Sequence, residues 1–475
     1  MRNGTLLFSI AFTTVGLQIA SAAAPETPEA IAVRLRDEAM NGESIAYPFV
    51  SELTTRFGPR PAGSSTEQHA AAWAAARLKS LGFENVRIES FPIQAWVRGS
   101  DRGEIVSPNP QPLAVAALGQ SPATPPGGLE GEVVIFPTFD DLLAAPKGSL
   151  AGKIAMVARH MVRVEDLGGY AAVVPARAAG PHEAAQRGAI AFIMRSAGPD
   201  HHRMPHAGTT RFFDGRVDVP AFALSTPDAD QIERLAALGE KVRVRLSSTA
   251  SYIKDAHSQN VVADIRGREH PDEIVMLGAH MDSWDLGTGA IDDAAGDAIM
   301  AGAAKLIAEL PRRPKRTIRV VFFGSEEVAQ PVKPFGAFGG NAYAAAHTGE
   351  LAQHVLAGES DLGADRILSV TLPKSVAGSE FAKAVYRVLT PIGVLASQTL
   401  ADPGTDVGPS VEAGVPAVGL AQDASGYFDL HHTADDTLDK IDRRQLDQNV
   451  AAWAVVAWLA AESDVDFRGA TSPGH

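Results

Sequence analysis

The sequence predicts an α/β protein: a three-layer sandwich around a mostly parallel central sheet, with a second unit inserted into it. Three observations predict this. Apolar runs such as Ile274-Val275-Met276-Leu277 and Val320-Val321-Phe322-Phe323 alternate with helical stretches, the pattern of a sheet covered by helices. The 475 residues are enough for two to three domains at roughly 150 residues each. Between about Pro108 and Pro126 the chain turns Pro- and Gly-rich, and short strands and helices follow, which marks a boundary.

Residues 1–24 read as a signal peptide. Arg2 supplies the positive charge, Leu6 to Ile19 is mostly apolar, and Ala20-Ser21-Ala22 or Ala22-Ala23-Ala24 offers small residues for cleavage. The mature chain is expected to begin between Ser21 and Pro25, and the protein to be secreted or periplasmic. The apolar run is short for a membrane span of roughly 20 residues, so no membrane association is expected after processing.

Ala30 to Leu53 reads as a helix, and Gly58 to Ser65 as a loop. Ser65 with Gln68 forms a capping box for an Ala-rich helix that ends at Gly82. A strand begins at Val86 and Ile88. The inserted unit, placed at 118–240, contains strands at Glu132 to Phe136, Lys153 to Ala158, Ala189 to Met194 and Ala221 to Leu224. It has a helix near Glu183 to Arg187, and another capped by Thr226 with Pro227 at its first position. After Lys241 come strands Asn260 to Ile265, Glu273 to Ala279, Thr317 to Phe323 and Arg366 to Thr371. Helices Asp293 to Leu310, Ser379 to Leu389 and Arg443 to Glu462 separate or follow them. Residues 25–117 and 241–475 thus form one domain around the insert.

Composition narrows the chemistry. A hydrophobic share of 45% and a mean hydropathy near zero exclude a multi-span membrane protein and a disordered chain. The net charge is 42 − 56 = −14 with no basic stripe, so nucleic acid is not an expected partner. Cysteine is absent, which removes disulfides, thiolate nucleophiles and Cys-ligated metals. Any metal must be held by His and carboxylates.

Such groups follow the strong strands, where open α/β sheets place their sites. Ile274 to Ala279 leads into His280-Met281-Asp282-Ser283, and a Gly-rich loop then reaches Asp292-Asp293 at a helix start. Val320 to Phe323 leads through Gly324-Ser325 into Glu326-Glu327. Glu359-Ser360-Asp361 and His431-His432-Thr433-Ala434-Asp435-Asp436-Thr437 come later. Gathering bare carboxylates is costly unless cations compensate them. Taking His280, Asp292, Glu327, Asp361 and His432 as ligands, three carboxylates and a bridging hydroxide balance two Zn²⁺ ions. Imidazole and carboxylate ligands suit zinc. Asp292 can bridge with its two oxygens. Of the adjacent Glu326 and Glu327, one can ligate while the other handles a proton.

Those motifs, with the Gly58–Ser64 loop and the Tyr427-Phe428-Asp429-Leu430-His431-His432 run, resemble the co-catalytic zinc aminopeptidase and glutamate carboxypeptidase family over roughly residues 30 to 465. The resemblance implies a zinc exopeptidase fold with a protease-associated (PA) insert. It implies two zinc ions per chain: His280 and Asp361 on one, Glu327 and His432 on the other, Asp292 bridging. Glu326 is then the catalytic general base, Asp282 orients a ligating imidazole, and His431 lines the pocket. A cis peptide after Asp292 is also implied. Gln330 to Gly336 departs from the family pattern, with two prolines and a lysine. His201, His202 and His206 read as a polar loop.

The expected activity is hydrolysis of peptide bonds in small peptides or dipeptides, with aminopeptidase and carboxypeptidase directions both open and a homodimer allowed. Two alternatives share the fold: a single-zinc glutaminyl cyclotransferase, and a non-catalytic binding protein of transferrin-receptor type. A PA interaction module with vestigial catalysis is a third. The complete ligand set disfavours the first two, and metal content per chain separates all the readings.

Overall fold

The computed structural model describes Met1 and residues 26–333, 336–397, 399 and 401–469. The expected signal segment lies outside the described residues. Among the described residues no helix is long and apolar enough to cross a membrane.

The central sheet has five strands in the order Glu84–Val97, Ser251–Ile265, Arg316–Phe323, His270–His280, His354–Glu359. The last three are parallel, while Ser251–Ile265 is antiparallel to both its neighbours. The sheet is therefore mixed, two parallel pairings and two antiparallel, rather than mostly parallel. The reason lies in the insertion. Val97 pairs with Ser251, and the register continues to Glu84 opposite Asp264. The two strands form one long hairpin whose connection is residues 98–250, and hairpin strands are antiparallel.

That connection carries its own eight-stranded sheet, with strands from Asp101–Ser107 to Arg243–Ser248. It extends beyond 118–240 on both sides, because Asp101–Ser107 pairs with Arg243–Ser248 and closes the base of the unit. Leu129–Phe136, Ile154–Val157, Ala191–Arg195 and Ala221–Leu224 are parallel neighbours within it. A small third sheet joins Ile367–Thr371 to Leu395–Ala396 and Gly419–Gln422.

Local chemistry moves several boundaries. Ala30 to Leu53 is two helices, Pro28–Met40 and Ala46–Phe57, split at Asn41 and at Gly42 with φ 78°. The Ala-rich helix is capped by Ser64, whose side chain accepts from the Glu67 N–H, not by Ser65. Likewise Ser225 rather than Thr226 caps Thr226–Ala237. Helices Ala295–Ala308 and Arg443–Glu462 pack on the central sheet, burying Ile299, Leu306, Trp453 and Trp458. This core fixes the strand ends that carry the site.

Candidate metal centre

Three parallel strands deliver side chains to one edge. His270–His280 ends in His280, Arg316–Phe323 runs into Glu326 and Glu327, and His354–Glu359 runs into Asp361. Asp292 comes from the loop ahead of helix Ala295–Ala308, and its peptide bond to Asp293 is cis. His432 comes from the loop before helix Arg443–Glu462 and adopts φ 61°.

The five residues meet in two groups that share Asp292. In one, His280 Nε2 lies 3.1 Å from Asp292 Oδ1 and 3.2 Å from Asp361 Oδ1. In the other, His432 Nε2 lies 3.3 Å from Asp292 Oδ2 and 3.0 Å from Glu327 Oε2. His431 is farther, 3.7 Å from Asp292 Oδ2, and stacks on the His432 ring at 3.4 Å between centroids. Asp293 also approaches His280, but its oxygens accept from the N–H groups of His280 and Gly296.

Supporting groups fix these side chains. His280 Nδ1 donates to the Asp282 carbonyl at 3.0 Å, so the backbone of Asp282 orients the imidazole. The Asp282 carboxylate instead accepts from the N–H groups of Glu326 and Glu327. Asp436 accepts from the Ile291 N–H beside Asp292. The wholly buried Arg60 donates to the carbonyls of Met281, Thr288 and Gly289, pinning the loop from His280 to Asp292.

This arrangement fits metal ions. Ligand atoms at 2.0–2.1 Å from a tetrahedral zinc stand roughly 3.3 Å apart, close to the spacings in both groups. Asp292 Oδ2 and Glu327 Oε1 are buried without a hydrogen-bond partner, and so is His432 Nδ1. Burial, with Asp292 and Glu326 adding repulsion, holds the Glu327 carboxyl well above the usual range. Burial likewise lifts Glu326 to about 8, with the Asp361, Asp282 and Asp292 charges adding to it and His280 opposing. For His280 burial works the other way, but Asp361 and Asp292 outweigh it and raise the imidazole. Burial pulls His432 down to about 4, the neutral form a metal ligand requires. Cations among these groups would remove the repulsion.

A cavity of 360 Å³ opens onto Asp292, Glu326, Glu327 and Asp361. A second, of 490 Å³, shares Leu167, Asp361, Leu362 and Thr405 with it. The sequence reading missed what the inserted unit contributes here: Tyr170, Arg177 and Thr209 line the first cavity. Arg177 is 7% exposed, and its Nε and Nη1 have no hydrogen-bond partner. It is the one Lys or Arg lining that cavity among the described residues. Nothing local marks these residues, since an arginine on helix Val174–Gln186 reads as a solvated charge until the insert is placed.

Carboxylates and imidazoles converging at strand ends under a substrate-sized cavity define a metallopeptidase. The chain belongs to peptidase family M28, whose description matches residues 260–457. It is 32% identical over 422 residues to carboxypeptidase Q of Mus musculus, covering 89% of this chain and 87% of that one. The crystal structure of a peptidase M28 precursor from Shewanella amazonensis SB2B superposes with a TM-score of 0.89 at 43% identity, over 92% of this chain and 98% of that one. BSAP, a zinc aminopeptidase from Bacillus subtilis, shares the fold with a TM-score of 0.63 at 20% identity, over 88% and 95%.

Proposed function

We propose that this protein is a secreted or periplasmic di-zinc exopeptidase acting on dipeptides and other short peptides. The observation that carries the proposal is the division of Asp292, one oxygen toward His280 and the other toward His432. A carboxylate placed this way would bridge two ions. His280 and Asp361 would hold one, Glu327 and His432 the other. Zinc is favoured by the imidazole–carboxylate donor set and by the zinc aminopeptidase that shares the fold. Export rests on the apolar N-terminal run. The insert, with its parallel strands and flanking helices, is read as a PA-like domain that walls the active site.

Bound zinc ions polarise the peptide carbonyl and acidify water. The chain's own residues do the rest. Glu326 lines the cavity beside the ligands without joining either group, and its backbone is fixed by Asp282. Its carboxylate takes the proton of the attacking water and returns it to the departing amine. Arg177 lies over the Tyr170 ring on the cavity wall, and its guanidinium keeps Nε and Nη1 without hydrogen-bond partners, suited to the carboxylate of a short peptide. This favours the carboxypeptidase Q-like dipeptidase over an aminopeptidase that ignores the C-terminal end.

A panel of free, N-blocked and C-amidated dipeptides, run with metal analysis, tests the reading. Two zinc ions per chain and hydrolysis of free dipeptides, lost on chelation, are expected. Pyroglutamate formation with one zinc would establish the cyclotransferase instead, and no zinc with no turnover would establish a binding protein.

A further inference from the structure

The histidine-rich loop of the insert splits on folding. His201 and His202 remain exposed, whereas His206 is buried at 2% exposure beside Asp200 at 5%. The loop lies between strands Ala191–Arg195 and Ala221–Leu224 and reaches the other domain at the His431-His432 turn.

Two bonds cross there. His206 Nδ1 lies 3.1 Å from the carbonyl oxygen of His431. A carbonyl only accepts, and so does the Asp200 carboxylate on the other side of the ring, so both ring nitrogens donate. The next residue, Ala207, donates its N–H to the His432 carbonyl at 2.9 Å. The far side of the ring is anchored, with Nε2 2.6 Å from Asp200 Oδ2, and the His206 N–H donates to Ser196 Oγ. The recess is shaped for this pair, because a Cβ at Gly198 would overlap both the ring and the Asp200 carboxylate.

The turn they hold is one that needs holding. His432 sits at φ 61°, a left-handed conformation that a residue with a Cβ seldom adopts. Such conformations persist where the surroundings impose them. Its imidazole has no hydrogen bond at Nδ1 to fix the ring plane. A partner at that position commonly orients a metal-binding histidine; here the ring is held by its own backbone and by stacking on His431 at 3.4 Å between centroids.

We propose that His206, clamped by Asp200, is a positioning residue for the metal centre. It latches the insert onto the His431-His432 turn and thereby aims His432 at Glu327 and Asp292. The inference rests on the two-zinc reading above. It makes the insert part of the metal site, and it sets the His432 half of the site apart from the His280–Asp361 half.

The test is zinc competition against a chelator, resolved into two dissociation constants, on the full chain carrying His206→Ala, His206→Asn or Asp200→Asn. Melting of each chelated protein serves as the control for general damage. His206→Ala should weaken one zinc by about 10–100-fold, the scale for residues supporting a ligand, and leave the other unchanged. His206→Asn keeps an N–H that can reach the His431 carbonyl and should recover most of the loss. Asp200→Asn, which preserves shape, should shift the same single constant and keeps the test open if His206→Ala does not fold. The latch is overturned if neither constant moves, or if both weaken together with the melting temperature of the chelated protein. A wild-type chain that takes up no zinc would overturn the two-zinc reading itself; two zinc ions in wild type with unaltered variants would overturn the latch alone.

Discussion

The Asp282 carboxylate grips the Glu326-Glu327 pair by its backbone, accepting from the Glu326 N–H at 3.0 Å and from the Glu327 N–H at 3.3 Å. Its own carbonyl meanwhile receives His280 Nδ1. One residue thus ties the end of strand His270–His280 to the turn after its parallel neighbour. Asp282→Asn keeps the shape but turns an amide N–H₂ toward a backbone N–H, two donors facing each other. Zinc affinity is expected to fall by about 10–100-fold, the scale for groups that support a metal ligand. Equilibrium dialysis would measure it, and an unchanged affinity would remove Asp282 from the design of the site.

Glu326 stands apart from both ligand groups yet lines the same cavity. Glu326→Gln keeps its volume and cannot accept a proton. The expected result is a fall in kcat of about 10²–10⁴-fold, with little change in KM and zinc content retained. A variant that keeps a tenth or more of wild-type kcat, far short of about 10²-fold, would assign the proton transfer elsewhere.

Arg177 separates the two directions of exopeptidase action. Arg177→Gln should raise KM for free dipeptides by about tenfold or more, since a charge-assisted hydrogen bond is worth roughly 1.5–3 kcal/mol. The same substitution should change little for C-amidated dipeptides. Equal losses on both substrates would show that Arg177 does not read the carboxylate.

The chelated protein should respond to pH with a definite sign. Glu326 is lifted to about 8 in the folded protein and Asp436 to about 7, both chiefly by burial. Unfolded, these groups ionise near pH 4. His280 is raised by Asp361 and Asp292 against the pull of burial, so it too keeps its proton longer when folded. Between about pH 6.5 and 8 the folded state therefore binds more protons, and its stability falls as pH rises, by at most about 1.4 kcal/mol per pH unit for each such group and by less as Asp436 and then Glu326 ionise. Below about pH 6.5 the buried His432 and His354, both held near 4 by desolvation, oppose this trend. Zinc should flatten this slope, because ligands bind metal deprotonated and the folded state then holds fewer excess protons. Melting temperatures at pH 6.5 and 8, with and without chelator, check both slopes; a chelated protein that is more stable at pH 8 would contradict the first.

Much of this was legible in the chain. Strands such as Thr317 to Phe323 and the helix Arg443–Glu462 follow from apolar runs and periodicity, which are local properties. His280, Asp292, Glu326, Glu327, Asp361 and His432 could be picked out because each follows a strand or precedes a helix, and such ends open onto one edge of an α/β sheet. Composition alone limited any metal site to His and carboxylates, since there is no cysteine to compete.

Tertiary structure decided the rest, for a common physical reason: these contacts join segments far apart in the chain. Strand Ser251–Ile265 runs antiparallel only because it closes a hairpin across the whole insert with Glu84–Val97. Asp282 was expected to orient a ligating imidazole; that its carbonyl meets His280 while its carboxylate holds the Glu326-Glu327 turn was decided by where that turn packs. Arg60 and Arg177 look like ordinary surface polar residues in sequence, and His206 belongs to a histidine cluster that reads as a polar loop. Each gains its place from partners more than a hundred residues away or from a cavity wall shared between two sheets, contacts that no local property of the sequence encodes.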